Sequence, residues 1–174
     1  GVPFERMAMA LREFHGCERR YQMRGEVSGI TVVDDYGHHP TEVAAVLRTA
    51  LEGQPRRLVV VFQPHRYTRT RDLLADFGPA LALADVVVLT DIYPAGETPV
   101  PGIDLDVLAD RVRPEVKELV VVPLVTDVPG HVVMLAREGD LIVTLGAGSI
   151  GLVADRVLAS LRQLAAHDGQ ELSQ

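Results

Sequence analysis

ITVVDDYGHHPTEVAAVLRTAL, residues 30–51, runs from an apolar stretch through a polar turn into a helical stripe. Ile30 to Val33 reads as a core strand. Pro40 suits a first helical turn, and Val43, Val46, Leu47 and Leu51 then recur at helical spacing until Gly53 and Pro55 stop the helix. Between strand and helix, residues 34–39 gather two carboxylates, a phenol and two imidazoles. Such junctions are where open α/β sheets present polar groups to ligands.

The same pattern repeats along the chain. Leu58 to Phe62 is a continuous apolar run, followed by QPHRYTRTRD and a helical stripe carrying Leu73, Leu74 and Phe77. Val86 to Leu89 forms the next strand and leads into DIYPAGETPVPG, whose prolines and glycines predict a surface loop. Leu105, Leu108 and Val112 resume helical spacing. Leu119 to Val122 is a further strand, a helix is expected over about 127–137, and Leu141 to Leu145 is the last strand, with GAGSIG leading into a final helix. Upstream, Glu18 to Tyr21 reads as an extended segment and Arg24 to Gly29 as a turn. Near the start, Phe4, Met7, Ala8, Leu11 and Phe14 make a short apolar stripe that needs a surface to cover it.

Uninterrupted Val, Leu and Ile strands alternating with helices predict a three-layer αβα domain around a Rossmann-like, mostly parallel sheet. Right-handed crossovers would gather DDYGHHP, QPHRYTR, TDIYPAGE and GAGSIG along one edge.

Composition narrows the function. The 174 residues carry 17 basic and 24 acidic side chains, a formal charge of −7. That balance argues against nonspecific nucleic-acid or anionic-membrane binding. The single cysteine, Cys17, excludes an internal disulfide and is compatible with a reducing compartment. The first segment lacks a signal-peptide pattern, and no stretch is long and apolar enough to span a bilayer.

At the expected edge, Asp34 and Asp35 could orient hydroxyls or bind a metal; alternatively, Asp34 satisfies a turn and Asp35 caps the following helix. Tyr36, His38 and His39 add rings that can stack or contact a carboxylate or phosphate. Zinc is disfavoured, because no second spaced His/Cys unit exists. His65, Arg66, Arg69 and Arg71 crowd the second junction, where guanidinium groups suit a planar carboxylate; a solvated surface is the alternative. GAGSIG matches neither GxGxxG nor the Walker pattern, so Ser149 is expected to cap the last helix, with a backbone contact to an anion as the alternative. Asp91, Tyr93 and Glu97 sit on a loop suited to a lid, an interdomain contact or a plain connection. Asp127 is expected to cap the Pro129-led helix, and His131 to be structural.

DDYGHHPTE at 34–42, FQPHRYTRTRD at 62–72, TDIYPAGE at 90–97 and LGAGSIG at 145–151 resemble the C-terminal domain of the Mur ligases. FHGCERRYQ at 14–22 resembles the way those proteins lead into that domain. The likeness covers nearly the whole chain and rests on several long motifs in order.

The resemblance implies a cytoplasmic, ATP- and Mg2+-dependent amide-forming ligase of peptidoglycan synthesis. It would activate the lactyl carboxylate of UDP-N-acetylmuramate as an acyl phosphate for attack by L-alanine. Asp35 would contact the ATP ribose. Tyr36, His38, His65, Arg66 and Arg69 would form or border the amino-acid site, with the arginines receiving the free carboxylate. Residues 1–14 would be a linker or helix from the preceding domain, 15–164 the C-terminal domain and 165–174 a flexible tail. The Walker-type loop, catalytic lysine and metal ligands would lie in N-terminal and central domains absent from this sequence, so no catalytic residue and no metal site is expected here. A Mur ligase for another amino acid, or a nucleotide-binding or structural module, are the alternatives.

Overall fold

The computed structural model describes residues 1–13 and 17–171, and side-chain burial through residue 167. Six strands form one sheet: β1 (Gln22–Val27), β2 (Ile30–Asp35), β3 (Arg57–Phe62), β4 (Val86–Leu89), β5 (Leu119–Val121) and β6 (Asp140–Leu145), in the order β1-β2-β6-β3-β4-β5. Only β1 is antiparallel; β2, β6, β3, β4 and β5 run parallel to one another. The helices are α1 (Phe4–Glu13), α2 (Pro40–Glu52), α3 (Tyr67–Asp72), α4 (Leu74–Leu81), α5 (Leu105–Val112), α6 (Val128–Leu135) and α7 (Val153–Glu171), with a 3₁₀ turn at Ser149–Leu152.

Alternation along the buried strands builds two cores. Leu58, Val60 and Phe62 of β3 face α2, α4 and α5, where they join Val43, Leu47, Phe77, Leu81 and Leu108. Val59 and Val61 face the other way, toward Val128 and Val132 of α6 and Val153 and Val157 of α7. Helices cover both sides, as a continuous apolar strand requires.

This layering sets the site. The connections after β2, β3 and β4 cross one face, whereas α6 and α7 flank β6 on the other. β6 lies between β2 and β3, so neighbouring strands send their following segments to opposite faces and a crevice opens at their carboxyl ends. The register pairs Asp35 with Leu145, Leu145 with Phe62, and Phe62 with Leu89. The four polar loops therefore leave the sheet at one level.

Several local expectations are corrected. The first strand is at 22–27, not 18–21, because Arg19 and Tyr21 take positive φ values of 53° and 46° that cannot continue a ladder. Residues 17–21 instead form a strap across the end of β2. The helix expected after β3 breaks at Leu73 into α3 and α4. Asp35 does not cap α2: His39 holds the N-cap, its Nδ1 accepting from Thr41 N–H, while Glu42 accepts from His39 N–H. Ser149 begins the 3₁₀ turn and bonds to Gln63 rather than capping α7. Asp127 stands at the N-cap of α6 without a side-chain cap bond. α7 continues through Glu171 where a flexible tail was expected from 165, since Ala165 and Ala166 are strong helix formers. α1 forms with no side chain buried; Phe14 and residues 172–174 lie outside the described residues.

Candidate functional site

His38 and His65 come from separate loops, and their ring centroids lie 5.1 Å apart. Tyr36 meets His38 edge-on at 5.6 Å, and Tyr93 stacks on His65 at 5.6 Å with an interplanar angle of 20°. Four rings thus run across the crevice. Arg69, one helical turn beyond His65, directs Nη1 to the His65 carbonyl at 3.2 Å and to His65 Nδ1 at 3.1 Å. Because arginine can only donate, His65 Nδ1 accepts and the ring proton of neutral His65 resides on Nε2. His38 Nδ1 lies 3.0 Å from the Tyr36 carbonyl, so it donates there and leaves Nε2 as an acceptor in the neutral ring.

Burial, then His38, Arg69 and Arg66, push the His65 pKa down to about 4, against a weaker opposite pull from Glu97. His65 is therefore neutral near pH 7. Burial alone would raise the Glu42 carboxyl, but the His38 and His39 N–H donors and imidazoles outweigh it and hold its pKa below the ordinary value. Arg66 is exposed and takes φ of 74° at the start of α3; its Nη1 lies 3.7 Å from Glu97 Oε1. Glu97 is itself fixed by Thr68, accepting from its N–H at 3.0 Å and its hydroxyl at 2.7 Å. The site presents guanidinium donors for an anion beside one imidazole acceptor and one imidazole donor.

The two aspartates are largely internal. Asp34 is buried, accepting from Arg19 Nε at 2.8 Å and from the Thr144 hydroxyl at 2.6 Å. Asp35 is 5% exposed; its oxygens accept from Tyr21 N–H at 2.7 Å and Gly37 N–H at 2.6 Å. Those bonds pin the strap and the 36–39 turn. Each oxygen retains a second lone pair, but the carboxylate has little open surface for a ribose. His39 is turned to capping, Arg71 pairs with its neighbour Asp72 on the surface, and His131 bonds the Asp127 carbonyl. Among the described residues, no group of three or more His, Cys, Asp or Glu could hold a metal.

Sequence reasoning assigned no role to Arg19 or Gln63 and left that of Tyr93 and Glu97 open. Arg19 joins Asp34 to the Gly146 carbonyl and lies 5.2 Å from the centre of the Tyr36 ring. Gln63 is buried at the end of β3 and latches the glycine turn, donating to Ser149 Oγ and accepting from Ile150 N–H. Tyr93 and Glu97 tie down the 90–97 loop, so these residues do not behave as a free lid. A buried glutamine directly after an apolar strand was the one local signal; the other partners lie far apart in sequence.

The fold is a doubly wound α/β sheet with a polar, arginine-lined crevice at its carboxyl edge, the place where sheets of this kind present groups to ligands. Residues 19–148 match the family described as "Mur ligase, glutamate ligase domain". The chain belongs to that family. It is 47% identical over 161 residues to the UDP-N-acetylmuramate–L-alanine ligase of Geotalea daltonii, covering 92% of this chain and 35% of that protein. It is 49% identical over 168 residues to the ligase of the same name from Anaeromyxobacter dehalogenans, covering 94% and 36%. Among solved structures, the UDP-N-acetylmuramate-alanine ligase of Thermotoga maritima superposes with a TM-score of 0.73 at 30% identity, over 89% of this chain and 32% of that one. The chain thus spans about a third of the length of these relatives. Among the described residues, no helix is long and apolar enough to cross a membrane.

Proposed function

We propose that the full-length protein is an ATP-dependent ligase joining L-alanine to UDP-N-acetylmuramate in peptidoglycan precursor synthesis, and that this chain supplies its amino-acid side. The observation that carries the reading is the convergence of His38, His65, Arg66 and Arg69 in the crevice between two loops. The names of the relatives support the same substrate pair.

Arg66 and Arg69 hold the amino acid's carboxylate, for which paired guanidinium donors are well matched. Tyr36 and His38 border its other end, where the His38 Nε2 lone pair accepts a hydrogen from the amino group. Fixing the carboxylate orients the amine toward the sugar's activated carboxyl carbon, and such orientation can lower a barrier by about 7–11 kcal/mol in favourable cases. ATP supplies the phosphoryl group that makes this carboxyl an acyl phosphate, whose phosphate leaves as the amide forms. The preceding N-terminal and central domains hold the sugar nucleotide, the phosphates and Mg2+. Residues 1–14 link this domain to them, and the reaction is cytoplasmic.

Asp35 has a more limited part in this reading. Its first task is holding the 36–39 turn, and an ATP ribose would reach it only by adding to bonds already made. The 174-residue chain alone does not ligate.

The test is ADP release by the full-length protein with UDP-N-acetylmuramate plus L-alanine, glycine or L-serine. Dependence on the sugar nucleotide with preference for L-alanine is the expected result. Turnover without any amino-acid dependence defeats the reading, as does turnover by the 174-residue chain for the claim that it is one part of a larger site.

A further inference from the structure

The 90–97 loop reaches the candidate site through Glu97, which faces Arg66, and through Tyr93, which stacks on His65. Tyr93 is fixed to the 63–66 segment from both sides of its backbone: its N–H donates to the Pro64 carbonyl, and its carbonyl accepts from Arg66 N–H, both at 2.8 Å. This forms a parallel bridge between His65 and Tyr93. With its backbone pinned, the ring stacks on the face of His65, leaving that imidazole between Tyr93 and His38. The ring also packs against Gly148. A Cβ there would overlap the Tyr93 ring and lie 2.7 Å from Tyr93 Cβ, so the glycine makes room for the tyrosine. Glu97 anchors the far end of the segment through Thr68.

We propose that Tyr93 is a positioning residue for the amino-acid site, setting the plane of His65 and wedging the 63–66 turn against the 146–149 turn. This rests on the amino-acid reading of the site given above. By covering His65 the ring also withholds water from the imidazole, in keeping with the burial that lowers the His65 pKa. His38, Arg66, Arg69 and Glu97 are the charged or titratable groups that act on that ring. Correct placement of His65 in turn holds the Arg69 guanidinium through the Nδ1 contact. Tyr93 therefore acts on the carboxylate-binding arginine through His65 without needing to touch the substrate.

Three substitutions test this, with kinetics on the full-length enzyme and imidazole titration by NMR on the 174-residue chain. Tyr93→Ala should raise the L-alanine KM about tenfold, a loss of the size expected for one aromatic pair, and leave the ATP KM within about twofold. It should also move the His65 midpoint up from about 4 toward its ordinary value. Tyr93→Phe keeps the stack and should restore both readouts. Gly148→Ala pushes the ring from its other side and should reproduce the KM effect if Tyr93→Ala proves too unstable to assay. If the wild-type enzyme uses L-alanine and both Tyr93→Ala and Gly148→Ala retain its KM, this proposal falls while the function stands. If the wild-type enzyme shows no amino-acid dependence, the function reading falls and takes the proposal with it.

Discussion

The two ends of β3 treat their charges in opposite ways. At the amino end of β3, Arg57 makes two bonds to the buried Asp140 carboxylate, from Nε at 2.9 Å and Nη2 at 2.7 Å, and Nη2 also reaches the Leu135 carbonyl. Asp140 further accepts from Arg137 N–H, and nearby Asp85 is engaged by Leu58 N–H and Lys117. At the carboxyl end, Arg66 is exposed and, among the described residues, has only a 3.7 Å ion-pair contact to Glu97, while Arg69 engages His65 through Nη1. The closed cluster joins β3, β6 and the end of α6 to one another, whereas the open one leaves guanidinium donors facing the crevice. A polar cluster that satisfies itself contributes to stability, whereas one that leaves strong donors open is available to a ligand.

The largest test removes a member of the closed cluster. Arg57→Ala strands a carboxylate whose side chain is 2% exposed, and should lower unfolding stability by about 3 kcal/mol, read from the urea midpoint. An unchanged midpoint would break the contrast between the two ends. In the full-length enzyme the same change should leave the L-alanine KM alone wherever the protein remains folded.

Arg69→Ala tests the open cluster. It should raise the L-alanine KM about tenfold to a hundredfold through loss of a charge-assisted carboxylate contact, with the ATP KM little changed. Its stability cost should be smaller than that of Arg57→Ala, because it removes bonds to His65 without leaving a buried charge unpaired. An unchanged L-alanine KM would remove Arg69 from the site.

A weaker effect belongs to pH. The His65 pKa is lowered to about 4 in the folded chain, below the ordinary 6.5. Between those values the unfolded chain binds a proton that the folded chain excludes, so this group's linkage makes stability fall as pH drops from 6.5 toward about 4. His65→Asn should flatten that part of the stability curve, measured as the difference from wild type in urea melts at about pH 7 and about pH 5. Parallel curves would show that burial and the neighbouring cations do not hold His65 neutral.

The sequence carried the architecture where residues depend on near neighbours. Continuous runs such as Leu58 to Phe62 and Leu141 to Leu145 identified the buried parallel strands, and crossover handedness brought DDYGHHP to QPHRYTR. β1 escaped because QMRGEV lacks a clean apolar pattern and its pairing shifts register between Met23 and Gly25. The strap escaped because no local rule flags positive φ at an arginine and a tyrosine. Within the site, the imidazoles and arginines stood out by residue type, but their division of labour did not. Arg19 finds the Gly146 carbonyl across 127 positions and Gln63 finds Ser149 across 86, and such pairings exist only after the sheet has set its register.

Arg71 provides the finest test of the distinction between open and closed clusters. It shares the QPHRYTRTR stretch with Arg66 and Arg69, and by charge alone it belongs with them. One helical position separates its neighbour Thr70, which is buried and bonded to the Arg66 carbonyl, from Arg71 on the surface. There Arg71 pairs with Asp72, with both side chains more than half exposed. Exposed ion pairs contribute little because solvent screens them and holding two long side chains together costs entropy. Arg71→Ala should therefore leave both the urea midpoint and the L-alanine KM unchanged within error. A rise in KM comparable to that of Arg69→Ala would mean that positive charge alone, rather than aim into the crevice, governs binding at this edge.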